Sequence, residues 1–329
     1  MSRTYRTRVW AIAAHPVYPS WRVIVIVPRV MPRSRRFWAV VGAGVLAAGA
    51  LQLANPILAS AAESVEAVVV TGESGTAARS MTVTCPAETV AVGGLALSLP
   101  TIAHIDQIWP ATRSVTFHAT PLAGYTGAWR LRATALCVAP PAGLRYVNGP
   151  LRSVSRTSDD DQRYGAVSFA QCPGDKELIG MGASAIGGRL ELITPEGPGV
   201  PYTGGHGDHL YGVSVTGAAY AESPSGSVRA KAVCADPGVG PVVTAIEASL
   251  ATTAGSLSAA CPAGTQLHSV GMHPMYPNHY EDLTAFSYVL PVRLDATTAG
   301  LTAGRATMRK HVDSVAVEGW HHVVLSLCA

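Results

Sequence analysis

The chain has few aromatic residues, few charges and very few lysines. Only 6% of its 329 residues are aromatic, with four phenylalanines, and only 14% are charged. A core made mainly of large aromatic side chains is therefore excluded, and small apolar residues must fill the interior. The three lysines, Lys176, Lys231 and Lys310, lie far apart in the sequence. Nucleic-acid binding needs clustered Lys and Arg, so the sequence disfavours that function class.

The basic charge of the chain belongs to its N-terminal segment. The whole sequence has a formal net charge of +3. Residues 1–62 hold eight arginines and no acidic residue, so residues 63–329 keep 16 basic and 21 acidic residues, a net charge of −5. An acidic body argues against a polyanionic partner. We therefore expect no nucleic-acid partner.

The same N-terminal segment has the pattern of an export signal. Residues 31–36 are basic, residues 37–53 are apolar and uncharged, and Ala59-Ser60-Ala61 is a small-x-small sequence. This order predicts a signal peptide at 31–62, cleaved after Ala61 or Ala62, and an extracellular or cell-surface protein without membrane contact after cleavage. Residues 1–30 are interpreted as an upstream extension. The alternative is a retained membrane anchor, because about 18 apolar residues approach the length of a transmembrane helix.

All six cysteines belong to a pattern that occurs three times. Each repeat begins with Cys-Pro, continues with a glycine-bearing stretch and ends with a single cysteine on an apolar strand. The Cys-Pro pairs at 85, 172 and 261 are 87 and 89 residues apart, so the period is nearly constant. This regularity indicates internal repetition. The predicted domain spans 63–329, with repeats at about 63–141, 150–237 and 242–329.

The repeats have the sequence pattern of β-strands. Basic and apolar residues alternate over 130–133 and over 229–232, which predicts strands with one solvated face and one buried face. An apolar run ending in proline recurs at 105–110, 190–195 and 286–291. We predict an all-β fold, because the body of the chain shows no capped helical periodicity and Gly and Pro interrupt it at short intervals.

Two arrangements of the three antiparallel sheet repeats follow from their apolar faces. A sheet with one apolar face must bury that face against another layer. Packing three sheets around a shared axis does so, which favours a β-prism-like fold with pseudo-three-fold symmetry. The alternative is three small disulfide-bonded β domains in tandem, since about 85 residues and a disulfide suffice for independent folding.

The cysteines are predicted to form disulfides, because an even number of exported cysteines normally pairs. Six cysteines allow 15 pairings, and the repeat selects the pairing within each unit. The predicted bridges are Cys85–Cys137, Cys172–Cys234 and Cys261–Cys328. No cysteine then remains for catalysis, and no CxxC spacing is present for zinc.

No catalytic or metal-binding motif is recognisable in the sequence. The segment 182–187 has one residue too many for a GxSxG nucleophile elbow. Histidines and carboxylates cluster at 205–209 and 273–282, but in spacings that match no metal site with a known mechanism. Residues 159–161 are three aspartates without the glycine and distal glutamate of a calcium loop. We predict no catalytic residue, no metal and no cofactor.

Two long loops that differ between the repeats are the candidate ligand-binding segments. They span 194–209 and 273–282, where tyrosines, with a flat apolar face and a polar tip, stand beside histidines and carboxylates. The candidate ligand-binding residues are Tyr202, His206, Asp208, His209, Tyr276, His279 and Tyr280.

Two repeats share Cys-Pro, an inner glycine and the closing cysteine. The residues are Cys172-Pro173 with Gly180 and Cys234, and Cys261-Pro262 with Gly264, Gly271 and Cys328. This pattern resembles repeats in secreted, mostly uncharacterised proteins of high-GC bacteria. It is also similar to the family of vitelline membrane outer layer protein I, a three-fold β-prism. The resemblance covers 67–329 and implies three Greek-key-like sheets with carbohydrate contact at the loop ends, but the first repeat lacks the early glycine and no catalytic residue transfers.

The leading hypothesis is a secreted, non-catalytic binding or cell-envelope-associated protein that contacts a polysaccharide or another cell-wall component. The first alternative is a secreted hydrolase whose site lies near His206, Asp208 and His209. The second alternative is a purely structural surface protein. Open aromatic surfaces would favour binding, whereas a pocket with converging histidines and carboxylates would favour an enzyme.

Overall fold

The regular elements of the computed structural model are β-strands throughout the residues that it describes, which confirms the all-β prediction. Alternation is clear in the strand 130–138, where Arg130 and Arg132 are exposed while Leu131 and Ala133 are buried. The described residues are 23–25, 64–156, 163–164, 166–197, 210–219, 224–238, 242–249, 254–275, 292–310 and 321–329.

The strands are grouped here by the three repeats predicted from the sequence. The N-terminal segment and the first repeat contain β1 (Val23–Val25), β2 (Glu66–Thr71), β3 (Arg79–Thr84), β4 (Val90–Leu99), β5 (Ala103–Ala111), β6 (Ser114–Pro121) and β7 (Arg130–Val138). The second repeat contains β8 (Arg145–Asn148), β9 (Arg152–Arg156), β10 (Arg163–Tyr164), β11 (Ala166–Gln171), β12 (Glu177–Ile186), β13 (Arg189–Glu196), β14 (Gly212–Ala218) and β15 (Ser225–Ala235). The third repeat contains β16 (Val242–Ser249), β17 (Ala254–Ala260), β18 (Leu267–Met275), β19 (Val292–Gly300), β20 (Ala303–Lys310) and β21 (His321–Cys328).

The strands form three antiparallel sheets, and two different repeats contribute to each sheet. The six-stranded sheet has the order β17-β20-β19-β4-β7-β2. The eight-stranded sheet has the order β10-β9-β15-β12-β5-β6-β3, with β8 also paired to β15. The seven-stranded sheet has the order β1-β16-β21-β18-β13-β14-β11. The strand that follows the Cys-Pro pair of one repeat (β4, β12 or β18) therefore always lies beside β19, β5 or β13 of another repeat.

The junctions between repeats use the same strands and the same register. Strand β12 pairs with β5, β18 with β13, and β4 with β19, which closes a ring of three repeats. Ala183 lies opposite Ile108, and Met272 lies opposite Ile193. Ala183 and Met272 each follow the cysteine of their Cys-Pro pair by 11 residues. Each sheet is thus shared by two repeats; the division into domains and the β-prism shape stay predictions.

The fourth strand of the third repeat lies later in the chain than the apolar run at 286–291 predicts. That run lies outside the described residues, and β19 takes the place in its sheet that β5 and β13 take in theirs. The feature common to these three strands is a register shift at an acidic residue, with a basic residue two positions before it. This basic-x-acidic pattern occupies 104–106, 189–191 and 293–295, and sequence reasoning missed it.

The three disulfides have the predicted pairing within each repeat. Each connects the cysteine before β4, β12 or β18 to the last strand of the same repeat, with Cα–Cα distances of 5.8, 5.7 and 5.7 Å. Bridges that close loops of this length add about 2–5 kcal/mol each. They are compatible with an extracellular location, because disulfides persist in oxidising compartments.

Three bulged strands meet in the centre of the core. Strands β4, β12 and β18 each shift register seven residues after the Cys-Pro cysteine, at the buried residues Val92, Ile179 and His268. A Cβ on Gly180 would lie 1.9 Å from the carbonyl oxygen of Val92, and one on Gly93 would lie 2.2 Å from that of His268. These glycines therefore let the backbones of neighbouring repeats approach each other.

His268 is the polar member of this central trio. The residue is 1% exposed, and its Nδ1 donates a hydrogen bond to the carbonyl oxygen of Ile179 at 2.9 Å. Burial lowers the pKa of His268 to about 4, and the bond to Ile179 only partly opposes this shift. The imidazole is therefore neutral at physiological pH.

We expect the protein to lose stability in acid because of His268. In the unfolded chain the pKa returns to about 6.5, so the unfolded state binds more protons between about pH 6.5 and 4. Neutral His268 contributes about 3 kcal/mol to the free energy of unfolding above about pH 6.5. This contribution is lost as the pH falls towards about 4. Urea unfolding across this range should show a smaller loss in His268→Val, which carries the residue found at position 92. Equal losses in the variant and the wild type would contradict this assignment.

Candidate functional site

The seven sequence-predicted ligand-binding residues lie outside the described residues, so that group stays a prediction. Two corrections concern the ends of their loops. Residues 194–196 belong to strand β13 and residues 273–275 to strand β18, because cross-strand pairing continues through them. The undescribed candidates are Tyr202, His206, Asp208, His209, Tyr276, His279 and Tyr280.

Polar groups are gathered where β13 and β18 end. Thr194 Oγ1 and His273 Nδ1 lie 3.2 Å apart, and burial lowers the pKa of His273 to about 4. Burial also raises the pKa of Glu196, against a hydrogen bond from Ser214 that lowers it. Across the described ranges, no group of three or more His, Cys, Asp or Glu residues is arranged to bind a metal ion. The described part of the chain also contains no helix that could cross a membrane.

The eight-stranded sheet has a core-facing side and an outer side. Val115 and Ile108 are buried on the core side, and their neighbours Thr116 and Trp109 alternate to the other side, where both are partly exposed. We call this second side the outer face. It is defined by Gln107, Trp109, Thr116, His118, Arg229 and Lys231, on strands from two repeats.

A glycine lets Trp109 and Lys231 meet on the outer face. Lys231 pairs with Gly182 across β15 and β12, and Ala183 pairs with Ile108 across β12 and β5. The register therefore places Gly182 beside Trp109. A Cβ on Gly182 would lie 2.9 Å from the carbonyl oxygen of Ile108, so only glycine permits this approach of β5.

The ammonium group of Lys231 is held against two aromatic rings. Its Nζ lies 4.5 Å from the ring centroid of Trp109 and 5.7 Å from that of Tyr146. Tyr146 is fixed by donating a hydrogen bond from its hydroxyl to the carbonyl oxygen of Ala91 at 2.9 Å. Lys231 is 7% exposed, and burial followed by the nearby charge of Arg229 lowers its pKa. The solvated position that the alternation over 229–232 predicts for Lys231 is therefore wrong, because the two rings cover it.

The cations of the outer face lack acidic partners in the part of the chain that the structure describes. Arg229 donates from Nε to the carbonyl oxygen of Gly149 at 3.0 Å. Among the described residues no carboxylate lies within 4 Å of Arg229 or Lys231. The two side chains therefore carry positive charge that no described anion compensates.

A buried ionic cluster lies beside the outer face, around Asp106. Its Oδ2 accepts a hydrogen bond from Thr120 Oγ1 at 2.5 Å and lies 3.3 Å from His118 Nδ1. Its Oδ1 lies 3.3 Å from Nη1 of Arg189, which is also buried and belongs to the second repeat. The carboxylate therefore connects the first repeat to the second.

The pair His118–Asp106 is an imidazole oriented by a buried acid. His118 is 33% exposed, and its Nδ1 faces Asp106, which leaves Nε2 for another partner. Ser80 lies directly across from His118 on β3. The Ser80 hydroxyl, however, donates to the carbonyl oxygen of Phe117 at 3.3 Å and not to the imidazole. The arrangement can hold or move a proton, but it does not present an activated serine.

Sequence reasoning did not select the outer face. The signal for it was a difference between repeats at equivalent positions. Lys231 stands three residues before the closing cysteine, where the other repeats have Thr134 and Leu325. Trp109 lies three residues after the bulged acid of β5, where β13 has Thr194. Both differences become visible only once the repeats are aligned by their bulges.

No protein-family model matches the chain, and no curated protein is significantly similar to it.

Proposed function

We propose that the protein is an exported, non-catalytic binding protein that contacts a cell-envelope polysaccharide through the outer face. The observation that carries the proposal is the partly exposed indole of Trp109 on a sheet of polar side chains. An indole offers a flat apolar surface for the C–H groups of a sugar ring. Gln107 and Thr116, beside it, offer amide and hydroxyl groups for the sugar hydroxyls.

Export is supported by two independent features of the chain. The basic, apolar and small-x-small segments at 31–62 follow the order of a signal peptide. All six cysteines form disulfides, as is usual in oxidising compartments. Cleavage after Ala61 or Ala62 would remove β1 and leave β16 as the edge of the seven-stranded sheet.

We expect Trp109→Ala to weaken polysaccharide binding at least about tenfold, because stacking on an indole supplies much of the contact energy at such sites. The measurement is retardation in native gels that contain cell-envelope polysaccharides. The matched control is Tyr211→Ala, which removes a partly exposed aromatic residue beside the seven-stranded sheet. A folded Trp109→Ala protein that is retarded like the wild type, or a wild type that no polysaccharide retards, would refute the proposal.

A secreted hydrolase is the second candidate, and the observation that favours it is the His118–Asp106 pair. In such an enzyme His118 would act as the general base, with Asp106 holding its orientation. Turnover of any ester, amide or glycoside that disappears in His118→Ala would support the hydrolase. A broad substrate screen without turnover by the wild type removes it.

A further inference from the structure

We infer that the polysaccharide is acidic, and that Arg229 and Lys231 bind the carboxylate of a uronic acid whose ring stacks on Trp109. The inference rests on the proposed function and specifies its ligand class. It depends on the charge, the spacing and the surroundings of these three side chains.

The two cations stand on the same side of one strand. Residues 229 and 231 of β15 point to the same face because successive side chains alternate, and two residues span about 7 Å. Both side chains are long enough to converge on one carboxylate from that distance. Nε of Arg229 is engaged by Gly149, which leaves the two Nη groups as donors for a carboxylate.

The protein itself supplies no described carboxylate to this pair. The acidic residues of the sheet that lie nearest in register, Asp106 and Glu177, are both buried. Asp106 is bound by Arg189 and by Thr120. Glu177 lies opposite Ala235, four residues along β15 from Lys231. Among the described residues the two cations thus have no carboxylate partner, and a ligand carboxylate is the anion that we assign to them.

The burial of Lys231 strengthens its electrostatic attraction to a bound anion. A charge that has lost most of its hydration interacts with an opposite charge in a lower effective dielectric than at an exposed site. Burial and Arg229 lower the pKa of Lys231, and a bound carboxylate would relieve both effects. The aromatic faces of Trp109 and Tyr146 stabilise the cation only in part.

The cation and the indole lie next to each other, because Lys231 Nζ is over the Trp109 ring, 4.5 Å from its centroid. The sugar would therefore stack on the part of the partly exposed indole that the ammonium group does not cover. A uronic acid carries its carboxylate on the ring carbon next to the ring oxygen, so stacking and charge pairing occur together. The net charge of −5 over 63–329 argues against binding of a polyanion by the body as a whole, so the inference restricts such binding to this locally cationic face.

The test compares polygalacturonate with its fully methyl-esterified form, which has the same sugar backbone without charge. Binding is measured by affinity electrophoresis at about 50 mM and about 300 mM NaCl, where screening of exposed charges differs strongly. We expect the wild type to prefer the acid polymer at both salt concentrations. Lys231→Met should weaken binding of the acid polymer about tenfold and that of the ester less than about twofold. Arg229→Gln, which changes a less buried residue, provides the same test if Lys231→Met does not fold.

The matched control is Lys176→Met, because Lys176 pairs with Asp236 away from the outer face. This variant should bind both polymers like the wild type. Equal wild-type affinity for the acid and the ester, or equal weakening of both in the Lys231 and Arg229 variants, would overturn the inference and leave the proposed function standing. A preference for dextran sulfate over polygalacturonate would overturn the carboxylate assignment. Retention of no polysaccharide at all, acidic or neutral, would overturn the proposed function as well.

Discussion

Gly180→Ala should destabilise the oxidised protein by about 4 kcal/mol or more, which is a large part of the about 5–15 kcal/mol by which folded domains are ordinarily stable. The added Cβ would lie 1.9 Å from the carbonyl oxygen and 2.8 Å from the carbonyl carbon of Val92. Both atoms are backbone of another repeat, so no rotation of a side chain relieves the clash. The strands would have to separate where the three bulges meet.

The third repeat shows how little room the centre has. Ser269 occupies the position equivalent to Gly180 and Gly93, so the centre already contains one Cβ. A Cβ on Gly93 would lie 2.9 Å from that of Ser269. A methyl group added to Gly180 or Gly93 would therefore contact atoms that packing already holds in place.

The effect of Gly180→Ala is measured by urea unfolding without reductant, with Gly72→Ala as the control. A Cβ on Gly72 would meet the terminal methyl of Met81 at 2.6 Å, which is a flexible group that can move. We expect the control to lose less than about 1 kcal/mol. A Gly180→Ala protein as stable as the control would show that the repeats do not meet as closely as described.

The second large effect is expected at the ion pair between the first and second repeats. Asp106→Asn and Arg189→Met should each cost about 3–5 kcal/mol, because the first removes the carboxylate that faces the buried Arg189 and the second leaves Asp106 with only Thr120 and His118. The double variant should cost clearly less than the sum of the two single variants, since no unpaired charge then remains.

A double-mutant cycle in urea measures this coupling. The control pair is Lys176 and Asp236, of which Asp236 is half exposed. Exposed pairs contribute about 0–1 kcal/mol, so Asp236→Asn should change stability little. Additive costs for Asp106 and Arg189 would show that the two side chains do not interact across the repeats.

The parts of the structure that were predictable from sequence depend on local patterns. Alternation over 130–133 predicted a strand with one exposed face, and β7 has that burial pattern. The period of the Cys-Pro pairs predicted the three disulfides, because each bridge joins two landmarks of one repeat. In both cases the residues that form the pattern belong to the structural feature that they predict.

The parts that were not predictable depend on contacts between repeats. Strand β5 of the first repeat pairs with β12 of the second. This pairing depends on packing between repeats, which the sequence of one repeat alone does not specify. The burial of Lys231 required Trp109 from the first repeat, so the alternation of β15 alone gave the wrong environment. In the third repeat the counterpart of β5 and β13 is β19, which is marked by the acidic bulge and not by the proline that ends the apolar runs.

The most direct test of ligand binding at the outer face is NMR titration of the oxidised protein with oligogalacturonate. We predict that the indole N–H signal of Trp109 and the side-chain signals of Lys231 and Arg229 shift together and saturate at one ligand concentration. Shifts confined to residues 198–209 and 276–291, with the signals of Trp109 and Lys231 unchanged, would contradict the proposed site.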